Sequence, residues 1–182
     1  MEAEVDDLDP QVIAAARRGD VRAFEVIVRR YQHPIWRLCF HLTGERVSAE
    51  DATQEAFLKI YRYLPRYRMQ SRFSTWLFAI ARNCAIDELR RRARRDMLGR
   101  RASREDDIEK DPSEVFEVRQ ALASLPLELR EPLVWIDVLG TSYAEAADML
   151  RIPIGTLKSR IHRARHVLAL ELLDEEGDAG EA

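Results

Sequence analysis

Glycine and proline are scarce, seven of each in 182 residues. That argues against a Gly-rich phosphate loop, a collagen-like stretch or a large β-sandwich with its many tight turns. Cysteine is scarcer still: Cys39 and Cys84 stand alone, with no CxxC spacing, so neither a disulfide framework nor a zinc site is supported. No apolar run approaches the roughly 18–20 residues that a bilayer requires, so no membrane insertion is expected. The first nine residues carry five acids and no basic residue, the opposite of a signal peptide's start. Catalytic signatures are missing too. There is no GxSxG, no Walker loop, no carboxylate pair at metal-ligand spacing and no cysteine with a partner histidine, so neither an enzyme nor a cofactor is expected. With 46% hydrophobic residues the chain can bury a core, and with 34% charged residues its surface is heavily charged. A soluble, cytoplasmic, mostly helical protein is the expectation, and its length allows one ordinary domain or two small ones.

The formal net charge of −3 hides a segregation. Between Arg82 and Arg104 nine arginines face three acids, Asp87, Glu88 and Asp96. Between Thr156 and Ala169 there are Lys158, Arg160, Arg163 and Arg165 with His162 and His166, and no acid. Acids gather at both ends. One basic run alone reads as a solvated helix face, but two separated runs in an otherwise acidic chain favour contact with a polyanion at two places.

Helical spacing recurs along the chain. Asp9-Pro10 opens a short helix that stops at Gly19-Asp20, and a longer one from about Val21 carries Phe24, Ile27, Val28, Tyr31, Ile35, Leu38 and Leu42 before Gly44. Ser48 with Asp51 reads as a capping box for a helix ending near Leu64-Pro65, and Ser74 as the cap of a helix through Trp76, Leu77, Ile80 and Ile86 into the arginines. Apolar residues nearly vanish from about Arg95 to Asp111, which marks a linker. Helix resumes at Asp111-Pro112. Pro132, inside the stretch after Pro126, predicts a kink or a later start. No segment alternates as a strand does. The expected fold is all-α, with two small helical domains at 10–95 and 112–173 joined by a flexible linker at 96–111.

The strongest local signal runs from Ser142 to Arg165: a short small-residue helix, a tight turn at Arg151-Ile152-Pro153-Ile154, and a basic helix. It reads as a helix-turn-helix, with Ala146 and Ala147 allowing close approach and Leu150, Ile152, Leu157 and Ile161 forming the shared core. Lys158, Ser159, His162 and Arg163 fall on one outer face that can enter a major groove, and Gly155-Thr156 at the helix start suits a phosphate. An αα-hairpin with a charged face is the plainer alternative. His162 and His166 have the spacing of a helical zinc pair, but Arg163 replaces the glutamate of HExxH and no third ligand is evident.

A second signal interleaves aromatic and basic residues between Pro65 and Ala93: Tyr67, Arg68, Arg72, Phe73, Trp76, Arg82, Asn83, Asp87, Arg90, Arg91 and Arg92. Stacking surfaces beside a basic track suit single-stranded nucleic acid, at about 1–3 kcal/mol per stacked base. Phe73 and Trp76 read equally well as core residues of a helix start, and Trp36 and Trp135 read as core. The third signal is the face shared by Asp51, Gln54, Glu55 and Leu58. Its pattern fits either a docking surface for a basic protein or a solvated helix face.

In this order the motifs resemble those of the extracytoplasmic-function (ECF) sigma factors of the sigma-70 family. The resemblance rests on Phe24-to-Tyr31, Asp51-Ala-Thr-Gln54-Glu55-Ala-Phe57, Phe73-Ser-Thr-Trp76-Leu-Phe-Ala-Ile80-Ala-Arg82-Asn83, Asp87-Glu-Leu-Arg-Arg-Arg, Leu122-Ala-Ser-Leu125-Pro126 and Gly155-Thr-Leu-Lys-Ser-Arg160 with Arg163-Ala-Arg165. It implies that the first domain is sigma region two. Asp51, Gln54, Glu55 and Leu58 would then dock on core RNA polymerase at the β′ coiled coil. Tyr67, Arg68, Arg72, Phe73, Trp76, Arg82, Asn83 and Asp87 would capture an unstacked base of the promoter −10 element, with Arg90, Arg91 and Arg92 tracking phosphates. The second domain would be region four. Its Lys158, Ser159, His162 and Arg163 would read −35 bases, with Thr156, Arg160 and Arg165 nearer phosphates. The implied partners are the β′ and β subunits of core polymerase, promoter DNA and an anti-sigma protein. Since the chain ends soon after Leu173, no appended sensing domain is expected. A conventional helix-turn-helix regulator acting without replacing sigma is the alternative, and it would leave the Asp51–Glu55 face and the aromatic loop without a task.

Overall fold

A computed structural model describes residues 8–97 and 120–178, with side chains through residue 171. Residues 98–111 of the expected linker, the helix restart at Asp111-Pro112 and the acids before Leu8 lie outside the described residues. Among the described residues there is helix and no strand, and no helix is long and apolar enough to cross a membrane. The chain divides into two compact units between Glu88 and Leu89.

The first unit opens with α1 (Pro10–Arg17) and α2 (Val21–Thr43). Asp9 caps α1 by accepting from Gln11 N at 2.8 Å, and Asp20 caps α2 by accepting from Arg22 N at 2.9 Å. Pro34 deletes one backbone donor inside α2, yet the helix continues to Thr43. Gly44, at φ +74°, then reverses the chain in the left-handed conformation that an L side chain disfavours. Ile27, Tyr31, Ile35, Leu38, Cys39 and Leu42 form the buried stripe of α2.

α3 (Arg46–Tyr63) starts three residues earlier than the Ser48–Asp51 capping box predicts. Because Gly44 turns the chain so tightly, helix begins directly after Glu45, and Ser48 becomes a buried first-turn residue whose hydroxyl meets the Glu45 carboxylate at 2.6 Å. Ala49, Ala52, Ala56 and Ile60 are the buried side of α3, small residues that let it lie close on α2. A 3-10 turn at Leu64–Arg66 packs on α1 and leads through the loop to α4 (Phe73–Met97). The expected cap of α4 also shifts. Trp76 N already donates to Arg72 O at 3.2 Å, so Ser74 is a buried residue of the first turn rather than the cap.

The second unit contains the helical residues 120–124 (α5), α6 (Leu127–Leu133), a π turn (Val134–Val138), α7 (Tyr143–Leu150) and α8 (Ile154–Asp178). Arg130 is buried and its Nη2 donates to Leu125 O at 2.8 Å and to Ala123 O, tying off the end of α5. Burial lowers its pKa below the ordinary guanidinium value. α6 starts directly after Pro126, without the later start that Pro132 raised as one option. The helix instead widens just after that proline. Leu139 N bonds to Val134 O at 3.0 Å, five residues back, and this turn buries Trp135 completely. The Ser124 hydroxyl meets Glu171 Oε2 at 2.8 Å and fastens α5 to α8.

Candidate nucleic-acid interface

Ser142 caps α7 with a complete capping box: Glu145 N donates to Ser142 Oγ at 3.3 Å and Ser142 N donates to Glu145 Oε2 at 3.3 Å. Arg151 ends α7 at φ +54°, and Ile152 N returns to Ala147 O at 3.1 Å. The chain is thereby turned straight into α8. Leu157, Ile161 and Ala164 are buried on its inner side against Ala146 and Ala147, while Leu150 and Ile152 are half-buried. This is the geometry of a helix-turn-helix.

On the outer side Lys158, Ser159, His162 and Arg163 are all exposed, as the spacing predicts. The Ser159 hydroxyl turns back to donate to Thr156 O at 2.9 Å, which leaves its oxygen as an acceptor. Two of the residues expected nearer phosphates are turned elsewhere. Arg160 is only 27% exposed and lies 3.9 Å from Glu128 of α6. Arg165 donates to Asp137 of the π turn at 2.7 and 3.2 Å. The hydrogen bond to Asp137 and its negative charge raise the pKa of Arg165 above the ordinary guanidinium value. Thr156 is half-buried.

In the first unit the aromatic loop is assembled differently from a row of free stacking platforms. Tyr67 is 6% exposed and Phe73 2%, with ring centroids 5.4 Å apart, and the Tyr67 hydroxyl donates to Ser71 O at 2.5 Å. Phe73 also meets Tyr31 edge-on at 6.1 Å. These two rings are buried in the loop, packed on each other and, for Phe73, on Tyr31. Trp76 leans on both, at 5.0 and 5.9 Å, and is half-buried, so one aromatic remains partly open. Along α4, Trp76, Asn83 and Arg90 recur every seven residues on one side. Arg68, Arg72, Asn83, Arg90, Arg91 and Arg92 are exposed, and Arg82 and Asp87 half-buried.

On α3, Asp51 and Gln54 are exposed and Leu58 is 60% exposed, while Glu55 is half-buried beside Lys59 at 3.5 Å. Tyr61 continues this stripe at 52% exposure and meets Phe24 of α2 edge-on at 4.9 Å. The pattern reading stopped at Leu58, although 51, 54, 58 and 61 keep helical spacing throughout. Burial raises the Cys39 thiol to about 12 and also raises Cys84, next to Lys59. Neither thiol is poised as a nucleophile.

A helical protein with a basic helix-turn-helix is the class this fold and site define: a DNA-binding transcription protein. Sigma-70 region 2 matches residues 27–95, and Sigma-70 region 4 matches residues 116–168. The chain is 35% identical over 181 residues to the ECF RNA polymerase sigma factor SigC of Mycobacterium tuberculosis, covering 97% of this chain and 96% of that one. It is 34% identical over 183 residues to the RNA polymerase sigma-H factor of Pseudomonas aeruginosa, with coverage of 88% and 91%. The sigma factor RpoE of Bartonella quintana, solved in complex with the anti-sigma factor NepR, superposes with a TM-score of 0.70 at 27% identity, over 84% of this chain and 98% of that one. The chain belongs to the ECF sigma factors of the sigma-70 family: it is an alternative sigma factor, which binds core RNA polymerase and directs promoter-specific initiation.

Proposed function

We propose that this sigma factor divides its work among three faces, on a region-two domain at 10–95 and a region-four domain at 112–173 with a linker at 96–111 between them. Asp51, Gln54, Glu55 and Leu58 dock on the β′ coiled coil of core polymerase. The observation that carries this is Leu58, a large apolar side chain left 60% exposed among acids and an amide, which is the make-up of an interface centre rather than of a solvated helix face. The half-open Trp76, with Arg68, Arg72, Arg82, Asn83, Asp87 and Arg90 to Arg92 around it, takes the unstacked −10 base and its phosphates. One stacked base offsets part of a melting cost of a few kcal/mol, and polymerase binding supplies the rest. Ser159, His162 and Arg163, with Lys158 beside them, meet the −35 element in the major groove.

The role is one of binding, with no chemical step of its own, exercised in the cytoplasm where polymerase and promoter are. The likeness to a sigma factor solved with its anti-sigma factor supports an anti-sigma protein as a further partner that covers these faces. The test is transcription by core polymerase reconstituted with the chain, on a promoter with intact or scrambled −35 and −10 elements. Arg163→Ala is expected to erase about 5- to 100-fold of the discrimination at one −35 position, and Trp76→Ala to impair opening while leaving −35 discrimination intact. Unchanged discrimination in Arg163→Ala contradicts the assignment.

A further inference from the structure

Lys59 stands between two of the faces assigned above. Its ammonium lies 3.5 Å from the Glu55 carboxylate one turn back on α3, with Lys59 29% and Glu55 41% exposed. The same ammonium donates to the Cys84 thiol of α4. Burial keeps that thiol protonated, so its sulfur is a weak acceptor compared with the carboxylate. Asp87, one turn further along α4 and half-buried, puts a second negative charge within electrostatic reach of the same sulfur. One cation thus pairs with Glu55 on the docking side and reaches across to the turn of α4 that carries Asp87 on the −10 side.

We propose that Lys59 is a positioning residue that couples docking to −10 capture by changing its carboxylate. In the free chain its ammonium pairs with Glu55. In the holoenzyme a basic group of polymerase takes Glu55, and the released ammonium turns on its four-carbon stem toward Cys84 and Asp87. There it screens the Asp87 charge, which otherwise repels the incoming −10 phosphates. The inference rests on the roles given to Glu55 and Asp87 above and adds Lys59 to them. Energetics favour an easy exchange: a Glu–Lys pair one helical turn apart, with both ends partly in water, is weak enough for a partner's cation to displace. Polymerase shifts the equilibrium because it binds Glu55 better once Lys59 has left it. Glu55, Lys59, Cys84 and Asp87 all belong to the first unit, so the exchange involves side chains of one unit alone.

The test uses the full chain with Lys59→Met, which keeps an apolar stem and removes the charge. Binding to core polymerase is measured first, then capture of a single-stranded −10 oligonucleotide by holoenzyme at saturating core. Lys59→Met is expected to bind core up to about 5-fold more tightly, the scale of one exposed ion pair, because nothing competes for Glu55. The same holoenzyme should capture the −10 strand about 2- to 5-fold more weakly. In an Asp87→Asn background that second loss should vanish, since no charge is left to screen. Lys59→Arg, which keeps the charge, should capture the strand within about 2-fold of wild type. A merely structural role for Lys59 would weaken both steps whatever stands at position 87. No gain in core affinity, unchanged −10 capture, or a −10 loss that persists with Asp87→Asn overturns the proposal. Failure of the docking assignment looks different: Glu55→Gln would then bind core as wild type does, and the proposal falls with it.

Discussion

Arg165 reaches back from α8 to Asp137 of the π turn, Nη2 to Oδ1 at 2.7 Å and Nε to Oδ2 at 3.2 Å. Two parallel bonds to one carboxylate fix the guanidinium plane as well as its position. Both side chains are substantially exposed, at 53% and 39%, so solvent screens the pair and its worth to stability is at most about 1 kcal/mol. Asp137→Ala should therefore cost little in thermal unfolding. It should also free Arg165 for DNA, steepening the log–log salt dependence of −35 binding by about one phosphate contact. A loss of several kcal/mol, or a shallower salt dependence, would contradict this account of the pair.

Ser142 and Glu145 cap the helix that supports the recognition helix. Ser142→Ala should destabilise the second unit by about 1 kcal/mol and Ser142→Gly by only a few tenths, because glycine tolerates the cap backbone and leaves the donors open to water. Chemical denaturation of the full chain measures both. Equal effects of the two substitutions would remove the capping box as the cause.

Met69 sits at φ +55° in the loop before α4 and is half exposed. A left-handed L residue costs about 1–2 kcal/mol, part of which glycine recovers at an entropic cost of its own. Met69→Gly should be neutral or stabilising by up to about 1 kcal/mol, while the β-branched Met69→Val should destabilise by about that amount or more. Thermal unfolding of both variants checks the sign. A destabilised glycine variant would show that the Met69 side chain contributes packing worth more than the strain.

Cys39 titrates at an ordinary 9.0 when unfolded and, desolvated by burial, only at about 12 when folded. Between those values the unfolded chain has lost the proton that the folded chain keeps, so the stability from this group is complete below pH 9 and falls as pH rises toward 12. Wild type should lose stability over that window more steeply than Cys39→Ala, by a difference on the order of 1–4 kcal/mol. In the folded chain neither thiol should react with a thiol reagent at pH 8, since both are buried. Parallel curves for the two proteins would mean that Cys39 is wetter than its packing implies.

Much of this fold was legible because its signals are local. Asp9-Pro10, Asp20 and Gly44 punctuate α1 and α2 by side-chain and backbone chemistry that needs no tertiary context, and the helix-turn-helix announces itself through Ala146, Ala147 and the basic stripe of α8. What was misread depended on neighbours. Ser48 and Ser74 look like caps in isolation, but a tight turn at Gly44 and the Arg72 carbonyl start both helices earlier. How far Tyr67 and Phe73 are buried was illegible too, since the sequence does not say that Phe73 meets Tyr31 edge-on or that the two loop rings pack on each other. The Asp137–Arg165 bond spans 28 residues and depends on a π turn, which no periodicity reveals. Tyr61 could have been found, since it simply continues the spacing of Asp51, Gln54 and Leu58.

The central claim is that the α3 face docks this sigma factor on polymerase, and it is tested most directly by measuring binding to bacterial core RNA polymerase. Wild type is compared with Asp51→Arg/Glu55→Arg, and circular dichroism verifies the fold of the variant. The account predicts tight binding by wild type and a loss of at least about 100-fold in the folded double variant, since two reversed charges then meet a basic partner. Binding that survives in the double variant, or DNA binding by the free chain with no polymerase association, would contradict it.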